Sequence, residues 1–256
     1  MLRGLYTSVS SMLTLQSRQS IITNNLANIN TTGYKEETLV EKSFDEVMLY
    51  NKDNYKSGEG NKQILGSMSF GVRIDDTYTN YDQGINVSTD NNMDFAIEGS
   101  GFFQVEDGQN NIYYTRNGDF SIDAQGYLIT GSGHYVLGKN NITDATERIN
   151  VGNSNIYVST DNKISIGDEY EYSFNIVDFE SYDNLEKTGN GLYIGTNPID
   201  ATNFSVKQGY LESSNVDSIN SVTLLMETVK EFEANQKVVQ SMDSILNKIA
   251  NEIGRV

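Results

Sequence analysis

The chain has 256 residues, a formal net charge of −17 and no cysteine. Its length suffices for one large or two modest domains, and the missing cysteine excludes disulfides, thiolate chemistry and cysteine-based zinc sites. The acidic charge argues against binding to nucleic acid or to an anionic membrane surface. No apolar run reaches the roughly 18 residues of a membrane-spanning helix. The N-terminus also lacks the apolar centre of a cleaved signal peptide, so we expect neither feature.

The N-terminal residues carry apolar side chains with the spacing of one helix face. This stripe consists of Leu2, Leu5, Val9, Met12, Ile22 and Leu26. Residues 24–33 are then rich in asparagine, threonine and glycine, which favour turns and helix ends. The pattern predicts a long N-terminal helix that ends in a turn, in which Gly33 is a candidate for a positive φ angle.

Residues 36–94 show no periodicity that identifies a helix or a series of strands. Glycine, serine, lysine and asparagine are concentrated at residues 56–62. Such polar and glycine-rich runs are typical of loops. We therefore expect an extended, flexible connecting segment over residues 36–94, with a mobile loop at residues 56–62.

Residues 95–217 contain short runs of alternating apolar and polar residues, separated by glycine and asparagine. This alternation is typical of half-buried antiparallel strands. The pair Asn117 and Gly118 is a strong hairpin signal, and it predicts that the strand before it pairs with the strand after it. A second hairpin is expected around Gly126. The segment is therefore predicted to be a β-rich domain.

The C-terminal residues repeat an apolar side chain every seven positions, as a coiled coil does. The seam and the apolar residues beside it are Leu225, Val229, Phe232, Val239, Met242, Leu246, Ile249 and Ile253. A helix of about 35 residues would be a rod of roughly 50 Å, with Asp217 or Ser218 at its N-cap. Two interpretations stay open: a seam between helices of a coiled coil or bundle, or a helix that covers a sheet of its own domain.

Charge is distributed unevenly along the chain. Residues 1–30 carry +2 and residues 222–256 carry −1, which leaves −18 for the residues between them. Nearly neutral ends can pack densely against copies of themselves. A strongly acidic middle would repel neighbouring copies unless it faced solvent, where salt screens charge over about 8 Å. The charge alone is equally compatible with a simple contribution to solubility.

These patterns predict an α+β fold in which a central antiparallel β-rich domain is flanked by long N- and C-terminal helices. We expect the two helices to pair in an assembly, in the manner of a coiled coil. The predicted divisions are a helical assembly domain from residues 1–35 with 218–256, a connecting segment at 36–94, and a β-rich domain at 95–217.

No residue pattern indicates a catalytic or ligand site. His134 is the single histidine and cannot supply a histidine-rich metal site. The glycines at 99 and 101 lack the third glycine and the following helix of a dinucleotide site. Residues 90–94 place oxygens at alternate positions, but the glycine and closing glutamate of a calcium loop are missing. We therefore predict no catalytic residues, no cofactor and no metal.

Several passages resemble the bacterial flagellar basal-body rod and hook protein family. They are NNLANINTTGYK at residues 24–35, AIEGSGFFQV at 96–105, YTRNGDF at 114–120, DAQGYL at 123–128, QGYLESSNVD at 208–217 and FEANQKVVQ at 232–240. The passages follow the order of the family and extend over most of the chain. The length and the last passage resemble a rod-type subunit, distal or proximal, more than a hook protein.

The resemblance implies a structural protein that leaves the cell through the flagellar export apparatus without a cleaved signal peptide. Family members polymerise as a helical tube beyond the inner membrane, with the terminal helices paired in the inner wall. The implied partners are further copies, other flagellar axial proteins such as neighbouring rod and hook subunits, and the export apparatus. The implied signature turn comprises Asn25, Asn28, Thr31, Gly33, Tyr34 and Lys35.

Coupled folding and assembly is the mechanism that these features suggest. The apolar stripes of both ends would become ordered when neighbouring copies cover them, so we expect residues 1–35 and 218–256 to be largely disordered in the free monomer. Two other functions stay open. One is a monomeric surface binding module or adhesin whose helices close on each other. The other is a cell-wall glycoside hydrolase with two essential carboxylates.

Overall fold

The computed structural model describes residues 2–51, 55–56, 59–60, 63–152, 154–159, 161–167 and 169–253. These residues form two long α-helices and many short, antiparallel strands, which confirms the predicted α+β class. The chain divides into two compact units. The helical unit comprises the described residues of Met1–Ala27, Glu37–Asn80 and Asp217–Val256, and the β unit comprises those of Asn28–Glu36 and Tyr81–Val216.

Two helices form the largest part of the helical unit: α1 (Leu2–Ala27) and α2 (Ser218–Ile253). They run antiparallel. Ser11 of α1 accepts a hydrogen bond of 3.1 Å from Asn235 of α2. Further along α1, the Nη1 atom of Arg18 lies 3.6 Å from Oε2 of Glu231, which comes before Asn235 in α2. The two terminal helices thus pair within a single chain, and the pairing in an assembly that was expected from the sequence stays a prediction.

The remaining chain of the helical unit is folded as two-stranded ribbons. Its strands are β1 (Glu37–Ser43), β2 (Val47–Asn51), β3 (Tyr55–Lys56), β4 (Glu59–Gly60), β5 (Gln63–Met68) and β6 (Val72–Thr79). Strand β1 pairs with β6, β2 with β5, and β3 with β4. The segment expected to be extended connecting chain is thus extended but paired. The mobile loop predicted at 56–62 lies largely outside the described residues.

The β unit contains the remaining strands and one short 3-10 helix, Tyr182–Asn184. The strands are β7 (Asn86–Ser88), β8 (Phe95–Gly99), β9 (Phe102–Glu106), β10 (Ile112–Thr115), β11 (Phe120–Ile122), β12 (Leu128–Thr130), β13 (Tyr135–Asn140), β14 (Thr146–Arg148), β15 (Ile156–Val158), β16 (Lys163–Ile166), β17 (Glu169–Phe174), β18 (Ile176–Asp178), β19 (Glu186–Gly189), β20 (Leu192–Ile194), β21 (Ile199–Asp200), β22 (Phe204–Gln208) and β23 (Tyr210–Glu212). The main sheet has the order β15-β16-β17-β13-β9-β10-β20-β19, and β8 pairs with β22 and β7 with β23.

Strand β9 is the centre of the β unit, because both of its faces are buried. Phe103 and Val105 belong to the main apolar core, whereas Phe102 belongs to a second cluster with Tyr114 and Tyr193. Successive side chains of a strand point to opposite faces, so this strand separates the two cores. The near-continuous apolar run at residues 102–105 follows from that position.

The predicted hairpin at Asn117 and Gly118 is wrong. Strand β10, which precedes this pair, is bonded to β9 and β20, and β11, which follows it, is bonded to β12. A Cβ atom at Gly118 would lie 1.7 Å from the carbonyl oxygen of Phe95. The glycine therefore permits a close approach of two backbones. The second predicted hairpin is confirmed, since β11 and β12 pair across a turn in which Gly126 has a φ of 88°.

The N-cap of α2 is Asp217, one of the two candidates from the sequence. Its Oδ1 accepts hydrogen bonds from the backbone N–H groups of Ile219 at 2.9 Å and Asn220 at 3.2 Å. These bonds satisfy two donors that have no partner within the helix.

We expect Asp217→Ala to lower the free energy of unfolding of the helical unit by about 1 kcal/mol, because the capping oxygen is lost. The change is measured by urea unfolding followed by circular dichroism. Ser218→Ala, at the first helical position, should change the same quantity by a few tenths of a kcal/mol or less. Equal effects of the two substitutions would contradict the capping role of Asp217.

Candidate assembly surface and signature turn

The heptad seam predicted for α2 is its half-buried face. The seam residues with described side chains, listed together, are Leu225, Val229, Phe232, Val239, Met242, Leu246 and Ile249, and each is half-buried. Met242 lies against α1, since a Cβ atom at Gly4 would be 2.7 Å from its Cε atom. The seam therefore lies on the side of α2 that faces α1. The side chain of Ile253 lies outside the described residues.

The predicted stripe of α1 is only partly buried. Ile22 is buried, Leu5, Met12 and Leu26 are half-buried, and Val9 is exposed. The side chain of Leu2 lies outside the described residues. Leu15, which lies beside the predicted stripe, is buried. The buried face of α1 thus differs slightly from the predicted stripe.

A second apolar series follows the outer face of α2. Leu224, Val238 and Ile245 are separated by multiples of seven residues, and each is at least 40% exposed. On α1, Tyr6 and Leu13 are also seven residues apart and exposed. Neither series was predicted, although heptad spacing was the signal that could have revealed both.

The ribbon of β2 and β5 is apolar on both faces and exposed. The side chains concerned are Val47, Met48, Tyr50, Ile64, Leu65 and Met68, which are all exposed. A two-stranded ribbon is at best marginally stable in water. Together with the outer series of the helices, it leaves many large apolar side chains of the helical unit exposed, as interaction surfaces often do.

The signature turn predicted from the family resemblance spans the end of α1 and the start of the β unit. Within the helical unit, the Asn25 amide donates a bond of 2.7 Å to the carbonyl of Glu37 and accepts one of 3.1 Å from its N–H. Within the β unit, the Thr31 N–H and hydroxyl bond to the carbonyl and side chain of Asn28. Local hydrogen bonds therefore define both parts of the turn.

Gly33 has a φ of 66°, which confirms the expected positive angle. Its N–H donates a bond of 2.8 Å to the carbonyl oxygen of Glu212. A Cβ atom at this position would lie 2.5 Å from the backbone nitrogen of Asn117. Glycine is thus required here both by the backbone angle and by the space.

The last two residues of the turn are buried in the β unit. The ring of Tyr34 is buried, and the Nζ atom of Lys187 lies 3.9 Å from its centroid. The Lys35 side chain is 1% exposed, and its Nζ donates bonds of 2.7 Å to the carbonyl of Asp82 and 2.6 Å to Oε1 of Glu212. Burial lowers the pKa of Lys35, and the carboxylate of Glu212 opposes that shift.

Glu212 is shared between two cations. Its Oε2 lies 3.3 Å from Nη1 of Arg116, and its Oε1 also accepts a bond of 2.9 Å from the N–H of Gly84. The Arg116 guanidinium donates a bond of 2.9 Å to the carbonyl of Gly99 and lies over the ring of Phe102. Side-chain exposures of 1% for Lys35, 4% for Arg116 and 0% for Glu212 make this a buried ionic cluster.

His134 lies beside a polar cleft of about 360 Å³ that is lined by residues including Thr115, Thr130 and Ser132. Its Nδ1 is 3.1 Å from the Ser132 hydroxyl. In a serine hydrolase the serine contacts Nε2, and Nδ1 is reserved for a carboxylate. The contact between Ser132 and His134 therefore does not have the geometry of that catalytic pair.

Among the described residues, no group of three or more histidine, aspartate or glutamate side chains is placed to hold a metal ion. None of the described helices is long and apolar enough to cross a membrane.

Three stretches of the chain match protein families. Residues 5–35 match the flagella basal body rod protein, residues 96–166 the flagellar hook protein FlgE/F/G D1 domain, and residues 207–252 the flagellar basal body rod FlgEFG protein C-terminal. The chain is 32% identical over 266 residues to the flagellar basal-body rod protein FlgG of Buchnera aphidicola, with 98% of this chain and 99% of the relative covered. The chain belongs to the flagellar basal-body rod protein family.

Relatives from Bacillus subtilis have similar identities. This rod-family chain is 32% identical over 270 residues to FlgG of that organism, with 98% of this chain and 99% of the relative covered. It is 31% identical over 278 residues to the flagellar hook-basal body complex protein FlhO, with both chains fully covered. Each of the three matched stretches of the rod-family chain contributes one charge to the ionic cluster: Lys35, Arg116 and Glu212, respectively.

We expect Gly33→Ala to destabilise the β unit by about 2 kcal/mol or more, because the new Cβ meets backbone atoms at a positive φ angle. The free energy of unfolding is measured in urea. Gly167→Ala is a matched control, because Gly167 has a φ of 68° and no atom within 4 Å of the built Cβ. The control should show only the backbone strain of about 1–2 kcal/mol, and an equal loss at both sites would contradict the close packing of Gly33.

Proposed function

We propose that this chain is a structural subunit of the bacterial flagellar rod that polymerises as a helical tube through its terminal helices. The observation that carries the proposal is the uncovered apolar surface of the helical unit in a chain of the rod protein family. Relatives that cover nearly the whole chain and are named basal-body rod proteins support the rod assignment. The exposed faces of α1 and α2 support the route of polymerisation.

The α1–α2 pair leaves most of its apolar side chains in partial contact with water. In the described part of α2, the fully buried residues are Ser221 and Thr228, whereas every large apolar side chain is half-buried or exposed. Full burial of a Leu, Val, Ile or Phe side chain contributes on the order of 1.5–3 kcal/mol. Covering these faces with neighbouring copies therefore provides the driving force for assembly, against the entropy of ordering the ends.

The proposed assembly interface contains the inner seam and the outer series. Its inner residues are Leu2, Leu5, Val9, Met12, Ile22, Leu26, Leu225, Val229, Phe232, Val239, Met242, Leu246, Ile249 and Ile253. The outer residues Tyr6, Leu13, Leu224, Val238 and Ile245 are added because of their exposure. A contact between different faces of successive copies is heterologous, and when it does not close a ring it produces a helical polymer.

Charge is consistent with the same arrangement. The nearly neutral termini can lie close to one another in a polymer, whereas the −18 of the intervening residues favours contact with solvent. We propose the division predicted from the sequence for the assembled subunit: residues 1–35 with 218–256 as the helical assembly domain, 36–94 as the connecting segment and 95–217 as the β-rich domain.

The proposed partners are further copies of the chain, neighbouring rod and hook subunits, and the flagellar export apparatus. The subunit would lie in the basal body, beyond the inner membrane, after export without a cleaved signal peptide. Neither catalysis, nor a cofactor or metal, nor nucleic acid, nor membrane insertion has a part in this function. The absence of cysteine suits export of an unfolded chain, since no disulfide can form on the way.

We expect Phe232→Asp to abolish polymer formation while the β unit stays folded, because a carboxylate in the seam cannot be buried without a partner. Sedimentation velocity and electron microscopy measure polymer, and circular dichroism measures folding. Val238→Asp on the outer face should also prevent polymerisation. Gln236→Asp, at an exposed polar position of α2, serves as the control and should polymerise normally. A chain that stays monomeric at every concentration would instead be a surface binding module or adhesin.

Hydrogen exchange on dilute monomer should show weak protection of the amide protons in residues 2–27 and 218–253, because these helices bury few apolar side chains. The β unit, including residues 28–36, should be strongly protected, because Tyr34 and Lys35 are buried in it. The disorder expected at residues 1–35 is therefore now proposed only for the part before residue 28. Polymer formation should then protect both helices. Full protection of α1 and α2 in the monomer would contradict the coupling of folding and assembly.

A further inference from the structure

The β unit buries more positive than negative charge at its ionic cluster. Lys35 and Arg116 supply two cations, and Glu212 is the carboxylate buried with them. The exposed side chain of Asp82 attracts Lys35 more weakly. An unpaired buried charge is strongly unfavourable, whereas a paired and hydrogen-bonded charge is tolerated. One carboxylate therefore makes the burial of both cations possible.

We propose that Glu212 closes the β unit: without its carboxylate, Lys35 and Arg116 cannot be buried together and the unit does not complete its fold. We call these three residues the clasp. The dependence concerns the whole unit, because the clasp joins segments that flank the core. Arg116 follows β10, Glu212 ends β23, and Lys35 belongs to the turn before β1.

The backbone around the clasp depends on the same residue. The carbonyl of Glu212 accepts the N–H of Gly33, and its side chain accepts the N–H of Gly84. Asn215, three residues later, accepts the N–H of Glu36 at 2.8 Å and donates to the carbonyl of Asp82 at 3.1 Å. Hydrogen bonds around the clasp therefore connect three segments of the β unit that are remote in sequence.

The position of Glu212 in the chain gives the clasp a consequence for the order of folding. It follows Lys35 by 177 residues and Arg116 by 96 residues. An N-terminal portion that ends before residue 212 contains both cations without the carboxylate. Because chains are made from the N-terminus, the β unit stays open until about four fifths of the chain is present. The benefit of such a delay for export rests on the proposed function, whereas the clasp itself does not.

Substitutions in the full-length chain, studied as dilute monomer, test the clasp. Glu212→Gln keeps the shape and the acceptor for Gly84 but leaves Lys35 and Arg116 without a buried carboxylate. We expect the equilibrium constant for unfolding of the β unit to rise roughly 100- to 1,000-fold. Lys35→Met leaves Glu212 paired with Arg116, so the expected rise is at most about tenfold. Urea unfolding measured by circular dichroism gives these constants.

The triple variant Lys35→Met, Arg116→Met, Glu212→Gln separates charge from shape and also serves if Glu212→Gln alone fails to fold. It contains no buried charge at the clasp, so its unfolding constant should return to within about tenfold of that of the original chain. A triple variant no more stable than Glu212→Gln would overturn the proposal, because the loss would then reflect packing. Glu98→Gln, which breaks an exposed pair with Lys207, is the control and should change the constant less than tenfold.

Hydrogen exchange shows how far the effect extends. In Glu212→Gln, the amide protons of β8 and β9 should lose protection together with residues 28–36. Loss confined to residues 28–36 would overturn the proposal, because Glu212 would then only fasten a local turn. Neither measurement depends on polymerisation, so failure of the proposed function and failure of the clasp are distinguishable.

Discussion

One buried carboxylate joins the segments by which the chain passes into and out of the β unit. Glu212 meets Lys35 and Arg116 through its two oxygens, and its backbone carbonyl receives the N–H of Gly33. The strands supply the apolar core, but an apolar core does not by itself determine where a connecting turn is attached. Buried charges require particular partners at particular distances, and they therefore specify one arrangement of the turn.

The two units differ in how completely they bury their apolar side chains. The β unit buries phenylalanine and tyrosine on both sides of β9 and pairs the charges that it encloses. The helical unit leaves apolar side chains of α1, α2 and the ribbons in water. Burial of apolar side chains is the dominant favourable term in folding, so the helical unit gains less of this stabilisation within one chain than the β unit does.

Periodicity predicted the helices well because local geometry determines it. The seven-residue repeat identified the half-buried face of α2, and Asp217 capped the helix as its short acidic side chain suggested. The hairpin at Asn117 and Gly118 failed because Gly118 serves a backbone contact with Phe95, which no local pattern reveals. The pairing of β1 with β6 and of β2 with β5 was also missed, since strands without clear alternation give no signal of register.

The clasp lay beyond sequence reasoning for a different reason. Glu212 is 177 residues from Lys35 and 96 residues from Arg116. The spacing of a lysine, an arginine and a glutamate along a chain does not indicate that their side chains are in contact in the fold. The family resemblance identified the three passages but not their contact. Each passage contains one member of the clasp, so the ionic cluster is a point at which passages far apart in the sequence meet.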